Sequence, residues 1–298
     1  MDHPSTLTTV SSMALVFDNQ GQYDKALKYY ERALAGREKS LGVDHPDTLT
    51  TVHNMASVFD NQGQYDKALN YYERALTGRE KSLGVGHPST LTTVNNIALV
   101  FNRQGQYDKA LNYYERALVG REKSLGVDHP STLTTVNNMA SLFNRQGQYD
   151  KALRYYERAL AGREKSLGVD HPDTLTTVNN MALGFNSQGQ HDKALKYYER
   201  SLAGSEKLLG VDHPDTLTTV HNMASVFDNQ GQHDKALKYY ERALAGCEKV
   251  LGVGHPDTLA TVHPDTLATV NNMASVFHSQ GQYDRAGTGV LRASIGWS

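Results

Sequence analysis

Two rows of polar side chains recur at a fixed interval along this 298-residue chain. His53, Asn95, Asn137, Asn179 and His221 stand 42 residues apart, with Ser11 ahead of them and Asn271 behind. One residue further on come Asn54, Asn96, Asn138, Asn180 and Asn222, with Ser12 and Asn272 at the ends. A carboxamide offers both a donor and an acceptor, so a ladder of them suits the backbone of an extended peptide. The second row serves equally well to bond helix ends or neighbouring copies, and the sequence leaves both uses open. Arg103 and Arg145, again 42 apart, replace the Asn or Ser of other copies, and a guanidinium fork matches a carboxylate. Asp18, Asp60 and Asp228 lie nearer the ends, so the middle of the row is expected to be its more basic region. That favours an acidic peptide or a free C-terminus as ligand, against the plainer reading of solvated surface charge. Neutral hydrogen bonds contribute about 0.5–1.5 kcal/mol each, so several copies must act together and weak, micromolar-type binding is expected.

Catalytic and metal chemistry find less support. Eight of the thirteen histidines sit in His-Pro pairs and are read as turn or cap residues, too far apart along the chain to share a metal. His191, His233 and His278 replace Tyr, Tyr and an Asp or Asn of sister copies. Cys247 replaces an Arg and has no recurring base beside it, which argues against a nucleophile. No strand leads into a Gly-rich phosphate loop. Neither a cofactor nor catalysis is expected, and an enzyme is kept only as a remote alternative. A formal charge of −2, with acids and bases interleaved, gives no field that would gather nucleic acid or an anionic membrane. No apolar run is long enough to span a bilayer, and no signal peptide is expected ahead of the first copy. One cysteine rules out an intramolecular disulfide and fits a reducing, cytoplasmic setting.

The elements that would position these rows follow from the same period. His-Pro recurs at His3, His45, His87, His129, His171 and His213, and again at His255 and His263. A fixed period of this size predicts a solenoid, in which each unit buries its apolar face only against its neighbours. In the second copy Pro46 suits the first turn of a helix and pushes His45 out of the helical region. Leu49, Val52, Met55, Ala56 and Phe59 then form one helical stripe, which Asn61-Gln62-Gly63 ends. Tyr65, Ala68, Leu69, Tyr72, Ala75, Leu76 and Leu83 mark the buried face of a longer second helix closed by Gly84. Two helices joined by so short a turn pack antiparallel. Differences among first helices concentrate at the offsets of residues 53, 57, 60 and 61, which share a face away from the stripe and are expected to be its free surface. A glycine recurs inside every second helix, at Gly36, Gly78, Gly120, Gly162, Gly204 and Gly246, where it costs about 1 kcal/mol. Close approach to the next unit is the expected compensation. Gly184 stands where other copies hold Val or Leu, so the fifth unit is expected to be locally weaker.

Val52-x2-Met55-Ala56-x2-Phe59, followed by Ala68-x3-Tyr72 and Ala75, resembles the tetratricopeptide repeat. The longer second helix and the LGxDHPDTL and NQGQYDKAL strings look like the kinesin light chain type of that repeat. Similar arrays also occur as arms of signalling NTPases. The resemblance implies an all-α solenoid, a right-handed superhelix of antiparallel helical hairpins, whose first helices line a concave groove. It implies a scaffold for protein or peptide partners, with a kinesin light chain-like cargo adaptor or the sensing arm of a larger NTPase as alternatives. Six complete copies are expected over 3–254, then a duplicated octad at 255–262, a truncated seventh copy at 263–286 and a divergent tail at 287–298. Residues 290–298 can be encoded so that a shifted frame reads YYERALVG, the text that begins at Tyr113, so the tail is read as a frameshifted second helix, with a natural divergent tail as the alternative. The partnerless last first helix is expected to fray or to self-associate.

Overall fold

The computed structural model describes residues 3–251 together with 272, 273, 275 and 276. Twelve α-helices are found among them: α1 Pro4–Asn19, α2 Tyr23–Leu41, α3 Pro46–Asn61, α4 Tyr65–Leu83, α5 Pro88–Arg103, α6 Tyr107–Leu125, α7 Pro130–Arg145, α8 Tyr149–Leu167, α9 Pro172–Ser187, α10 His191–Leu209, α11 Pro214–Asn229 and α12 His233–Leu251. The chain forms two compact units, Met1–Gln146 with α1–α7 and Gly147–Ser298 with α8–α12. The octad, the truncated copy and the tail lie outside the described residues, apart from 272, 273, 275 and 276.

Local backbone chemistry sets the helix ends. His45 holds an extended backbone before Pro46, and its Nδ1 accepts the Asp47 backbone N–H at 3.2 Å. An imidazole thus fills the N-cap place usually given to Ser, Asp or Asn. His3, His87, His129, His171 and His213 cap their helices in the same way. At the other end Gly63 takes a φ of 72°, which lets the Gln64 N–H reach the Phe59 carbonyl at 2.8 Å and the Gly63 N–H reach Asp60 at 3.0 Å. This pair of bonds satisfies the carbonyls that a helix end leaves over. The longer connection is stapled by Thr48, whose hydroxyl donates to the Gly42 carbonyl at 2.8 Å.

In the first unit α1/α2, α3/α4 and α5/α6 pair as hairpins, and each second helix also packs on the first helix that follows it. In the second unit α9/α10 and α11/α12 pair likewise, α8 packs on α9, and α10 packs on α11. Leu49, Val52, Met55 and Ala56 of α3 are buried, as are Ala68, Tyr72 and Ala75 of its hairpin partner α4. Phe59 meets Tyr71 with centroids 5.2 Å apart, and the Lys67 ammonium lies 5.5 Å from the Phe59 ring centre, an aromatic and cation–π stack at the hairpin's turn.

The second-helix glycines receive a different neighbour from the one expected. A Cβ on Gly78 would stand 2.5 Å from Leu49 Cδ2, and Gly36, Gly120, Gly204 and Gly246 face Leu7, Leu91, Leu175 and Leu217 in the same way. The close approach is to the first helix of the same hairpin, because the Leu side chain projects straight at its own partner helix. Gly184 is buried at the offset where Val58, Val100 and Val226 are fully buried. It forgoes their apolar burial, worth about 1–2 kcal/mol.

Candidate functional site

Each described joint between α2 and α3, α4 and α5, and α6 and α7 is clamped by an arginine. Arg79 is buried on α4, and its Nη1 donates to the Ser89 carbonyl at 3.0 Å and the Thr93 hydroxyl at 2.7 Å on α5. Its Nη2 reaches back to the Thr50 hydroxyl of α3 at 3.3 Å. Arg37 repeats this toward Asp47 and Thr51, and Arg121 toward Ser131 and Thr135. In the second unit Arg163 binds the Asp173 carbonyl and the Thr177 hydroxyl at 2.7 and 2.6 Å. Burial lowers the pKa of Arg79 and brings that of Arg121 down to about 10, which leaves both charged near neutrality. Ser205 and Cys247 replace this arginine on α10 and α12. The clamp escaped the sequence reading, although an arginine four residues after the buried Ala75 sits on the same helix face.

The amide and imidazole rows lie against these clamps. His53 is half-buried: its Nδ1 meets the Thr93 hydroxyl at 3.3 Å, its Nε2 meets the Asn96 amide at 3.3 Å, and its ring stands edge-on to Tyr72. Burial, and then the Arg79 charge, hold the His53 pKa at about 3, so the ring is neutral. Asn95, 5 % exposed, plays the same role in the next copy, its carbonyl accepting from Thr135 at 3.2 Å. Asn137 is 7 % exposed. The expected free face is therefore corrected at this offset: the row closes the joints, because the threonine clamped by arginine needs a polar neighbour. Asn54, Asn96 and Asn138 are half-buried, as are Asn179, Asn180, His221 and Asn222 in the second unit. Asn96 also comes within 3.5 Å of the Tyr72 hydroxyl, and Asn272 lies 3.4 Å from His221 Nε2. The second row thus serves neighbouring copies where its partners are described.

The outer offsets are more open. Asn61 donates to Asp18 at 3.2 Å, and Arg103 pairs with Asp60 at 2.7 Å, each reaching back one copy. Asp60 is only 7 % exposed, and burial pushes its carboxyl up while Arg103 partly offsets this. The expected basic centre is corrected accordingly, since Asp60 takes up the charge of Arg103. Arg145 remains exposed, and among the described residues of the first unit it has no acidic partner. It shares a face of α7 with Asn138 and Ser141, at spacings of three, four and seven residues.

Capped hairpins repeated at 42 residues, with Ala, Tyr and Phe at the contacts, match the tetratricopeptide repeat model over residues 5–81, 89–165, 131–207, 173–249 and 215–262, and a second model of that repeat over 53–124. The chain belongs to the tetratricopeptide repeat family. A comparison with curated protein sequences finds no match. Among solved structures the tetratricopeptide array is similar to a Podosopora anserina protein of kinesin light chain type with nearly identical repeats. The two share 28 % identity over 70 % of this chain and 98 % of the other, with a TM-score of 0.58. BtubC (BKLC) from P. vanneervenii has a TM-score of 0.58 at 24 % identity, over 78 % of this chain and 87 % of the other. NprR in complex with its cognate peptide NprX has a TM-score of 0.64 at 16 % identity, over 96 % of this chain and 75 % of the other. These last two share the fold.

No set of three or more His, Cys, Asp or Glu among the described residues is arranged to hold a metal ion. His191 and His233 instead lie 3.0 Å from Asn186 and Asp228 at the preceding turn. No described helix is long and apolar enough to cross a membrane.

Proposed function

We propose that this tetratricopeptide array is a docking scaffold that holds an extended, acidic peptide along the first helices of its copies. The observation that carries this is the α7 face. Arg145 stands exposed beside half-buried Ser141 and Asn138, which sets a carboxylate-binding fork next to amide and hydroxyl groups suited to a peptide backbone. Asn54 and Asn96 offer weaker contacts, because their amides already face neighbouring copies, and Arg103 enters only by sharing Asp60. The peptide bound by NprR belongs to that protein, and lends support only in showing that such a solenoid can hold one. A kinesin light chain-like adaptor role is the second reading, favoured by the likeness to the Podosopora anserina protein.

The test is selection of binders from a random peptide library by the purified chain, followed by titration of one selected peptide. Selected sequences should be rich in Asp and Glu, and Arg145→Glu should weaken binding at least tenfold, in line with about 1.5–3 kcal/mol for a hydrogen bond to a charged group. An unchanged dissociation constant removes Arg145 from the site and the acidic preference with it.

A further inference from the structure

A second feature of the first unit lies away from that face, on α6 and the connection between α4 and α5. At three sister joints the outer surface carries an ion pair: Lys81 to Asp44 at 2.7 Å, Lys207 to Asp170 at 3.1 Å, and Lys249 to Asp212. At the α4–α6 joint the lysine is present as Lys123, but the aspartate is replaced by Gly86, and a Cβ there would meet nothing within 4 Å. Among the described residues Lys123 has no acidic partner, whereas the neighbouring Arg116 is held by Glu80. Glu115 stands on the same helix two turns away and does not explain the difference, because its counterpart Glu73 is present where Lys81 keeps Asp44.

A further substitution falls at the same place. Val119 replaces the Ala or Thr of every other copy and is 65 % exposed, and Val85 of the connection is 64 % exposed. Val85, Gly86, Val119 and Lys123 line one open cleft of about 820 Å³. Loss of a carboxylate and gain of an exposed apolar side chain therefore coincide at one joint. The sister joints show what the lysine takes in this geometry: a carboxylate one residue after a valine, as in Val43-Asp44.

We infer that this cleft is a docking site for a partner segment carrying an aspartate or glutamate next to an aliphatic residue, its carboxylate on Lys123 and its aliphatic group between Val85 and Val119. Charge complementarity selects the acid, and the exposed valines select its neighbour. The site is independent of the α7 face, so Arg145→Glu leaves it untouched.

The probe is an acetylated, amidated Ala-Val-Asp-Val-Ala peptide, titrated into the full chain at 50 mM NaCl by ligand-observed NMR, with the Asp→Asn peptide as control. The Asp peptide is expected to bind about fivefold more tightly than the Asn peptide, the most that one exposed ion pair of about 1 kcal/mol supplies. Gly86→Asp, which gives Lys123 its intramolecular partner back without a steric clash, should remove that preference, as should Lys123→Ala, with thermal unfolding of both variants unchanged. Equal binding of the two peptides, or an unaltered preference in Gly86→Asp, overturns the proposal. A concentration-dependent dimer in sedimentation that Lys123→Ala disperses would assign the cleft to a second copy of the chain and overturn it equally.

Discussion

Arg79→Ala lowers the stability of the first unit by about 2–4 kcal/mol, read as a fall in the urea midpoint or as faster amide exchange in α4 and α5. The residue is buried and donates to a carbonyl and two hydroxyls on the helices either side of it. Hydrogen bonds from a charged group contribute about 1.5–3 kcal/mol each against their unsatisfied state. Two opposing effects decide the size of the change. Truncation leaves the Ser89 carbonyl and the Thr93 hydroxyl short of a donor and opens a cavity where the arginine stem lay. It also relieves the desolvation of a guanidinium that has no carboxylate to repay it, the same burial that lowers its pKa. Arg79→Met separates them, since it keeps most of the stem and removes the charge. A loss in Ala with little loss in Met assigns the effect to packing, and equal losses assign it to the bonds.

The second large effect is a dependence on pH. His53 has its folded pKa held at about 3, well under its ordinary value of 6.5. The unfolded chain therefore binds the proton that the folded chain refuses, and stability present above about pH 6.5 is lost as pH falls toward 3. At about 1.36 kcal/mol per unit, the step from pH 7 to pH 5 costs about 2 kcal/mol on this account alone. His53→Asn installs the residue found at the equivalent positions 95, 137 and 179. The variant should lose about 2 kcal/mol less than the parent over the same step, measured as the difference of urea midpoints at the two pH values. Parallel curves for the two proteins would mean that water reaches the ring and that its pKa is ordinary.

The helix boundaries were legible because they depend on neighbouring residues only. Pro46 fixes where α3 starts and Gly63 where it ends, whatever the rest of the chain does. The stripe from Leu49 to Phe59 was legible for a similar reason, since helical periodicity states which side is hidden. What the period does not state is which neighbour does the hiding. Gly78 was expected to touch the next copy and instead receives Leu49 of its own hairpin. His53 and Asn95 differ, and difference suggested freedom, yet the imidazole meets the clamped hydroxyl of Thr93 and the amide the equivalent hydroxyl of Thr135. The sequence sets Arg79 among charged residues of a long helix, and only the approach of α5 turns it into a buried clamp. Arg103 reads as a free cation until Asp60 is seen 2.7 Å away, one copy back.

The proposed mode of docking is tested most directly by hydrogen–deuterium exchange of the chain with and without a library-selected acidic peptide. Peptides from the first helices α5 and α7 should exchange more slowly in the complex, with the change over residues 138–145 larger than any in the second helices α4 and α6. Protection confined to α4 and α6, with α7 unchanged, would contradict it.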